Sequence, residues 1–409
     1  MGLRARRYQA GSRQYLAQAL VAICAASATY AWSLNFTPLP SARKLAAPEA
    51  MMVRALLDVR ERNFSAALEK IDHLIASNPN FRLAQLVKGD LLLSRSKPIH
   101  TIGNAAGSAD EQTGLRDEAR ARMARYHIEP PGELAPRYLL KLPASEKHAL
   151  VLDSNRSTLF VFENDGESLR YVADYYVTIG KNGLEKIRTG DKRTPSGVYH
   201  IVSRLPREKL TDFYGSGAYP IDYPNEWDRM RGRSGYGIWL HGTPRNTYSR
   251  PPRASDGCIV LANEDLDSLS KILRVGSTPV VITDSMDWAT PQEVRSLRGE
   301  LVSAIENWRR DWESRDTSAY LRHYAGTFTN GEANLAQWST QKHQVNAAKH
   351  WIKVGISQMS LTLYPARENM AVATFEQDYA SNNLSNRMMK RQYWIKENGH
   401  WRILYEGAA

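Results

Sequence analysis

Two short apolar runs, Ile238-Trp239-Leu240 and Ile259-Val260-Leu261, bracket a polar, proline-bearing stretch. This pattern constrains the fold more than any other feature. Each run has the length of a buried strand, and the two can lie side by side only if the chain between them folds back. The first run delivers His241 onto the Gly242-Thr243-Pro244 turn, and the second is entered through Ser255-Asp256-Gly257-Cys258. A histidine and a cysteine therefore both stand where strand meets loop, a usual location for chemistry.

The chain has two cysteines, Cys24 and Cys258. Cys24 falls within Leu16 to Leu34, a run of 19 mostly apolar residues in which Gln18 is the only strongly polar interruption. A helix of that length spans about 28 Å, close to the roughly 30 Å hydrocarbon core of a bilayer. Arg4, Arg6, Arg7 and Arg13 precede it, and no acid occurs before Glu49. The basic flank predicts a cytoplasmic N-terminus with the rest of the chain outside, held by an uncleaved anchor. Small residues at Ala26-Ser27-Ala28 and Thr29-Tyr30-Ala31 also offer cleavage sites, whereas bulky Ile23 argues against a lipoprotein site at Cys24. A buried soluble helix is the plainer alternative, but it needs no basic flank. A membrane-embedded Cys24 cannot pair with Cys258, so Cys258 is either an inert core thiol or a nucleophile. The glycine and the serine–aspartate pair before it do not look like a core. A thiol of pKa ~8.5 needs a neighbouring base or positive field to ionise, and His241 is the candidate base.

His-Gly-Thr, a loop, then Ser-x-Gly-Cys resembles the signature of the L,D-transpeptidase (YkuD) family, cysteine enzymes acting on bacterial peptidoglycan. Ile179-Gly180-Lys181-Asn182, Gly190-Asp191-Lys192-Arg193-Thr194-Pro195-Ser196-Gly197 and Tyr219-Pro220-Ile221-Asp222-Tyr223-Pro224-Asn225 extend the resemblance over residues 147–283. It implies His241 as base and Cys258 as nucleophile. Two positions depart from the family pattern: Asp256 stands where histidine is common, and Val260 where arginine is often found. The implied chemistry is attack of the Cys258 thiolate on the carbonyl after an L-centre diamino acid, with backbone N–H groups of Gly257 and Cys258 holding the oxyanion. An amine acceptor makes the enzyme an L,D-transpeptidase, and water makes it an L,D-carboxypeptidase that trims tetrapeptides to tripeptides. Tyr236, Trp239, Gly242, Thr243 and Ser255 are candidate lining or supporting residues, with Trp239 equally readable as core. Asp256 either orients His241, binds the acceptor ammonium, or only stabilises its turn. The expected ligands are peptidoglycan stem peptides in the periplasm, without metal or other cofactor. A function of another class, a non-catalytic wall-binding scaffold, would have no reason to keep an unpaired exported thiol beside a histidine.

The formal charge is +11, and residues 181–253 hold fourteen basic and seven acidic side chains. Such a patch attracts anions. Nucleic acid is set aside because no binding motif accompanies the charge, and free carboxylates of stem peptides fit better. Solvated surface remains the simpler reading for Arg229, Arg231 and Arg233.

The remaining segments complete a multidomain α+β chain. Residues 1–36 form the basic tail and anchor or signal peptide. Residues 45–130 read as helices over 50–62, 65–77 and 81–94, with Leu68, Ile71, Leu74 and Ile75 at helical spacing, a loose connector over 98–114, and a helix over 115–126. This segment resembles a tetratricopeptide-type hairpin and serves as spacer, docking module or plain stalk. Residues 136–285 form the β-rich catalytic domain, in which Asn263 is expected to cap a helix starting at Glu264. Residues 292–409 carry a helix over 292–315, with Leu297, Leu301, Ile305, Trp308 and Trp312 on one side, followed by strands over 352–364, 371–380, 388–397 and 401–406. They resemble the NTF2-like (SnoaL-like) cone. His323, His343, His350 and His400 show no ligand spacing, so the segment is expected to bind a partner or dimerise. The combination resembles a cell-shape-determining L,D-carboxypeptidase group.

Overall fold

The computed structural model describes residues 47–99, 101–104, 109–126, 132–365, 367 and 369–409. The expected membrane run, its basic flank and Cys24 lie outside these residues. Among the described residues no helix is long and apolar enough to cross a membrane.

Helices α1 (Ala47–Arg60), α2 (Phe64–Ser77), α3 (Arg82–Leu93) and α4 (Ala109–Tyr126) form the first layer. The three-and-four spacing in α2 does what it predicts: Ile71 and Leu74 are fully buried, and Leu68 and Ile75 pack beside them. Helix α4 begins inside the stretch expected to be a loose connector. Asp110 and Glu111 in its first turn favour that start by complementing the helix dipole. Its far end is tied to the next layer by buried charge. Arg122 contacts Glu49 and lies 2.8 Å from Glu118, while Arg125 reaches Glu49 at 2.8 Å and Asp174 at 2.6 Å. Arg122 also stands 4.1 Å over the Tyr176 ring. Cutting one partner from such a cluster would leave an uncompensated buried charge, which costs about 3–5 kcal/mol.

The middle of the chain holds a five-stranded sheet in the order Leu169–Tyr176, Thr158–Asn164, His148–Asp153, Pro279–Thr283, Gly197–His200. Its central strands read as continuous apolar runs such as Ala149-Leu150-Val151-Leu152, because both faces are covered there, whereas the edge strand Leu169–Tyr176 is mostly half-buried. A four-stranded sheet packs on one face in the order Ile259–Val260, Trp239–His241, Gly217–Pro220, Leu205–Pro206. The two apolar runs around the folded-back loop are thus adjacent, and they pair in parallel, with Leu240 opposite Ile259 and His241 opposite Val260.

A six-stranded sheet closes the chain, in the order Tyr324–Thr329, His400–Ala408, Leu384–Glu397, Met370–Ser381, Ile352–Leu363, Leu139–Lys141. It curls around helix Pro291–Ser314, whose Leu301, Ile305, Trp308 and Trp312 are buried against it. The Thr290–Glu293 capping box starts that helix. The sheet's last strand comes from the start of the segment read as the catalytic domain, whose Tyr138, Leu139 and Leu142 also pack against the five-stranded sheet. Leu139–Lys141 adds to the open edge of Ile352–Leu363, and Leu140 fills the aromatic core there. An unpaired edge and two adjacent leucines are satisfied together. The last sheet docks on the middle layer where Tyr393 stacks on Trp227 at 6.1 Å and Arg391 meets Asp222 at 3.3 Å and Glu226 at 3.0 Å.

Candidate active site

Continuing the parallel register one step back sets Cys258 beside Trp239, two residues before His241 on the neighbouring strand. Side chains two apart share a face, so the thiol and imidazole emerge on the same side. With strands about 4.8 Å apart and a rise of about 3.3 Å per residue, their α-carbons stand roughly 8 Å from each other.

The turn carrying the sulfur is built by side-chain hydrogen bonds. Ser255 Oγ donates to the Cys258 carbonyl at 2.6 Å and accepts from the Gly257 N–H at 3.1 Å. Thr194 Oγ1 donates to the Gly257 carbonyl at 2.9 Å and accepts from the Gly180 N–H at 3.0 Å. Glycine is required at 257: φ is +131°, and a Cβ there would meet Arg193 O at 2.8 Å. One expectation needs correction. Of the two donors expected for an oxyanion, the Gly257 N–H is held by Ser255 at 3.1 Å, whereas no side chain among the described residues holds the Cys258 N–H.

The base is oriented by backbone. His241 is buried, and its Nδ1 lies 2.7 Å from Gly242 O. A carbonyl only accepts, so Nδ1 carries the proton and Nε2 keeps the lone pair a general base needs. Tyr214 meets the ring edge-on at 5.2 Å and Phe213 lies at 5.7 Å. Burial pushes the imidazole pKa down to about 4, and the Arg250 charge adds to this. Burial also raises the Cys258 thiol above its ordinary range, against a backbone hydrogen bond from Trp239 and the charges of Arg250 and Lys186. The thiol donates to Gly237 O at 3.3 Å. The resting site is therefore a neutral thiol and a neutral imidazole, and the sulfur must turn from Gly237 toward Nε2 before a proton can move.

The turn beside His241 rests on Asn263. Its Oδ1 accepts from Ser216 N–H at 3.0 Å and Thr243 N–H at 3.2 Å, and its Nδ2 donates to Thr243 O at 2.9 Å. The expected helix cap is corrected accordingly. The helix runs Asn263–Ser270 with Ala262 at the cap position and no side-chain cap bond, because the Asn263 amide faces the other way. Thr243 is buried, with its hydroxyl on Tyr248 O at 3.2 Å.

Other expected residues lie elsewhere. Asp256 pairs with Lys181 at 3.1 Å on the surface, away from the imidazole hydrogen bond, so it does not orient His241. Tyr236 is 80% exposed and precedes Gly237, whose carbonyl accepts from the thiol, while half-buried Trp239 stacks on Tyr214 at 4.8 Å. Of the basic patch, buried Lys186 is paired with Asp191 at 2.8 Å and buried Arg233 with Glu185. Those cations hold loops together. Arg250 is different: half-buried, it stands 4.8 Å over the Phe213 ring. Thr194, Asn263 and Arg250 were not singled out from sequence as site residues. Thr194 lies within a run that carries the family resemblance, but nothing in the spacing of the three announces their partners.

The C-terminal cone holds a polar cluster among its aromatics. Buried Glu406 accepts from Lys390 at 3.1 Å, Gln392 at 3.0 Å and the Tyr324 hydroxyl at 3.0 Å, and Lys342 lies 4.0 Å over the Trp338 ring. His323 pairs with Asp311 at 2.7 Å. No cluster able to hold a metal occurs among the described residues.

Comparison with known proteins agrees with this layout. Residues 146–282 match the L,D-transpeptidase catalytic domain (YkuD), and residues 300–407 match the Cds6 C-terminal NTF2-like domain. Bd1075 of Bdellovibrio bacteriovorus aligns at 28% identity with a TM-score of 0.59, over 68% of this chain and 98% of that one. The helical cell shape determining protein Pgp2 from Campylobacter jejuni aligns at 25% identity and 0.55, over 64% of this chain and 91% of that one. A point variant of Pgp2 aligns at 24% and 0.56, over 66% and 94%. No curated protein matches the chain.

Proposed function

We propose that the chain is a peptidoglycan-modifying cysteine acyltransferase, an L,D-transpeptidase acting on stem peptides through a Cys258 thioester. The observation that carries the proposal is the pairing of strands that brings Cys258 and an Nδ1-protonated His241 to one face, within a catalytic domain of that family. Nε2 takes the thiol proton as Sγ adds to the carbonyl carbon of the diamino acid. The C–N bond then breaks, and the imidazolium returns the proton to the departing D-amino acid. An acceptor amine, deprotonated by the same nitrogen, attacks the thioester carbonyl, the C–S bond breaks, and the thiol is restored. Water in place of the amine gives a tripeptide. That hydrolytic reading is kept because the same thioester and the same base serve either acceptor. In this proposal the N-terminal run anchors the enzyme in the inner membrane, facing the periplasm, and the cone engages a partner or a second copy.

Incubating the protein with a tetrapeptide-bearing muropeptide and reading product masses tests the reading. Cross-linked dimers support transpeptidation and tripeptide supports hydrolysis. A Cys258→Ala variant indistinguishable from wild type would leave a scaffold as the remaining account.

A further inference from the structure

We infer that Arg250 is the specificity-determining cation of this site, binding the free carboxylate of the residue that leaves. The inference rests on the acyl-transfer reading and concerns which group on the substrate that site selects.

Backbone placement comes first. Thr178 bridges Val260, with hydrogen bonds of 2.9 Å in both directions, and its hydroxyl donates to Arg250 O and Pro251 O at 2.9 Å each. The Tyr176 hydroxyl also donates to Arg250 O at 2.9 Å. The Arg250 backbone is thereby held beside Thr178, the residue that pairs with Val260, two residues past the nucleophile. A cation is thus supplied by the folded-back loop rather than by the strand.

The side chain is placed just as firmly. The guanidinium covers the Phe213 ring at 4.8 Å, and that ring lies 5.7 Å from the His241 ring. It is close enough to act electrostatically on both His241 and Cys258. Asp256 acts on Arg250 electrostatically but forms its ion pair with Lys181 at 3.1 Å, and Asp212 forms its own with Arg245 at 3.4 Å. No ion pair neutralises Arg250 among the described residues. A half-buried, aromatic-backed guanidinium without a counter-ion is suited to a carboxylate, which it can grip with two parallel N–H donors.

Substrate chemistry says which carboxylate. In a stem peptide ending in a D-amino acid, the terminal carboxylate is one carbon from the amide nitrogen that His241 must protonate. A group reaching both the sulfur and the imidazole is therefore near that carboxylate. Occupancy has a second effect. Free Arg250 opposes protonation of His241, whereas a bound carboxylate cancels that charge and makes Nε2 a stronger base only when substrate is seated.

The test compares a synthetic tetrapeptide ending in diaminopimelate–D-alanine with its C-terminal carboxamide, using wild type, Arg250→Gln, Arg250→Lys and Cys258→Ala. Wild type is expected to favour the acid over the amide. Arg250→Gln should lower kcat/KM on the acid by about 10- to 100-fold, the range of a charge-assisted hydrogen bond. The acid-to-amide ratio of kcat/KM should fall by a similar factor, since loss of the Arg250 charge at His241 and Cys258 is common to both substrates, and Arg250→Lys should keep part of the preference. An unchanged acid-to-amide ratio in Arg250→Gln, or an equal loss on both substrates, overturns the inference while the acyl-transfer reading stands if Cys258→Ala is inactive. Wild type and Cys258→Ala alike inert on both substrates would overturn both.

Discussion

Asn263→Ala is the most direct probe of how the fold holds the base. The amide makes three hydrogen bonds, with Ser216 N–H, Thr243 N–H and Thr243 O. Gly215 and Gly242 crowd around its oxygen so closely that a Cβ on either would collide with it. Each bond contributes about 1 kcal/mol net. The site is half-buried, so water can re-satisfy part of what is lost, and the expected destabilisation is about 2–3 kcal/mol. The effect on rate should be larger than the effect on stability. Thr243 is two residues beyond His241, and a shift of about 1 Å in a catalytic group can cost about 100-fold. Denaturant midpoints and tetrapeptide turnover would be measured for Asn263→Ala and Asn263→Asp, with Ser268→Ala on the exposed side of the same helix as control. Asn263→Asp keeps the acceptor for both N–H groups but sets an oxygen against Thr243 O, so it should fall between. Wild-type midpoint and turnover in Asn263→Ala would refute the claim that this amide holds the turn.

Three further outcomes are expected. Burial lowers the His241 pKa to about 4 and raises that of Cys258, so the neutral pair persists at neutral pH. Iodoacetamide should alkylate Cys258 ever faster as pH rises past 8, and a rate plateau between pH 5 and 7 would mean a preformed thiolate–imidazolium pair instead. In turnover the base stays neutral until pH falls toward 4, so the acidic limb of kcat/KM should lie well below the ordinary histidine range. Asp256→Asn should change kcat/KM by less than about twofold, since its partner is Lys181 on an exposed surface; a tenfold loss would restore it as an orienting group. Ser249→Ala removes the 2.6 Å hydrogen bond that joins the active-site loop to buried Glu118 of α4. It should cost about 1.5–3 kcal/mol in denaturation and slow turnover, and unchanged turnover would reduce the helical layer to a passive support.

That last contact shows how far the sequence could be read. The helices of the first layer were legible from the spacing of Leu68, Ile71, Leu74 and Ile75, but their role was not. The Asn78-Pro79-Asn80 turn grips the loop: Asn80 Nδ2 donates to Arg245 O at 3.0 Å, and Phe81 stacks on Tyr248 at 4.3 Å. Residues 165 positions apart leave no local signal. The edge strand Leu139–Lys141 left no local signal for the same reason, because its two leucines serve different cores, Leu139 that of the five-stranded sheet and Leu140 that of the cone.

Sequence alone determined what depends on covalent order and local pattern. Apolar periodicity gave the helices and most strands, and the two runs flanking the His-Gly-Thr and Ser-Asp-Gly-Cys turns gave a strand-loop-strand with a histidine and a cysteine at its ends. Tertiary structure decided everything set by position in space: the proton on Nδ1, the neutral thiol facing Gly237, the Asn263 amide turned from its helix to the base, and Arg250 over the Phe213 ring beside His241. Hydrogen-bond direction and burial are properties of neighbours, and neighbours distant in sequence are assigned only when the chain has folded.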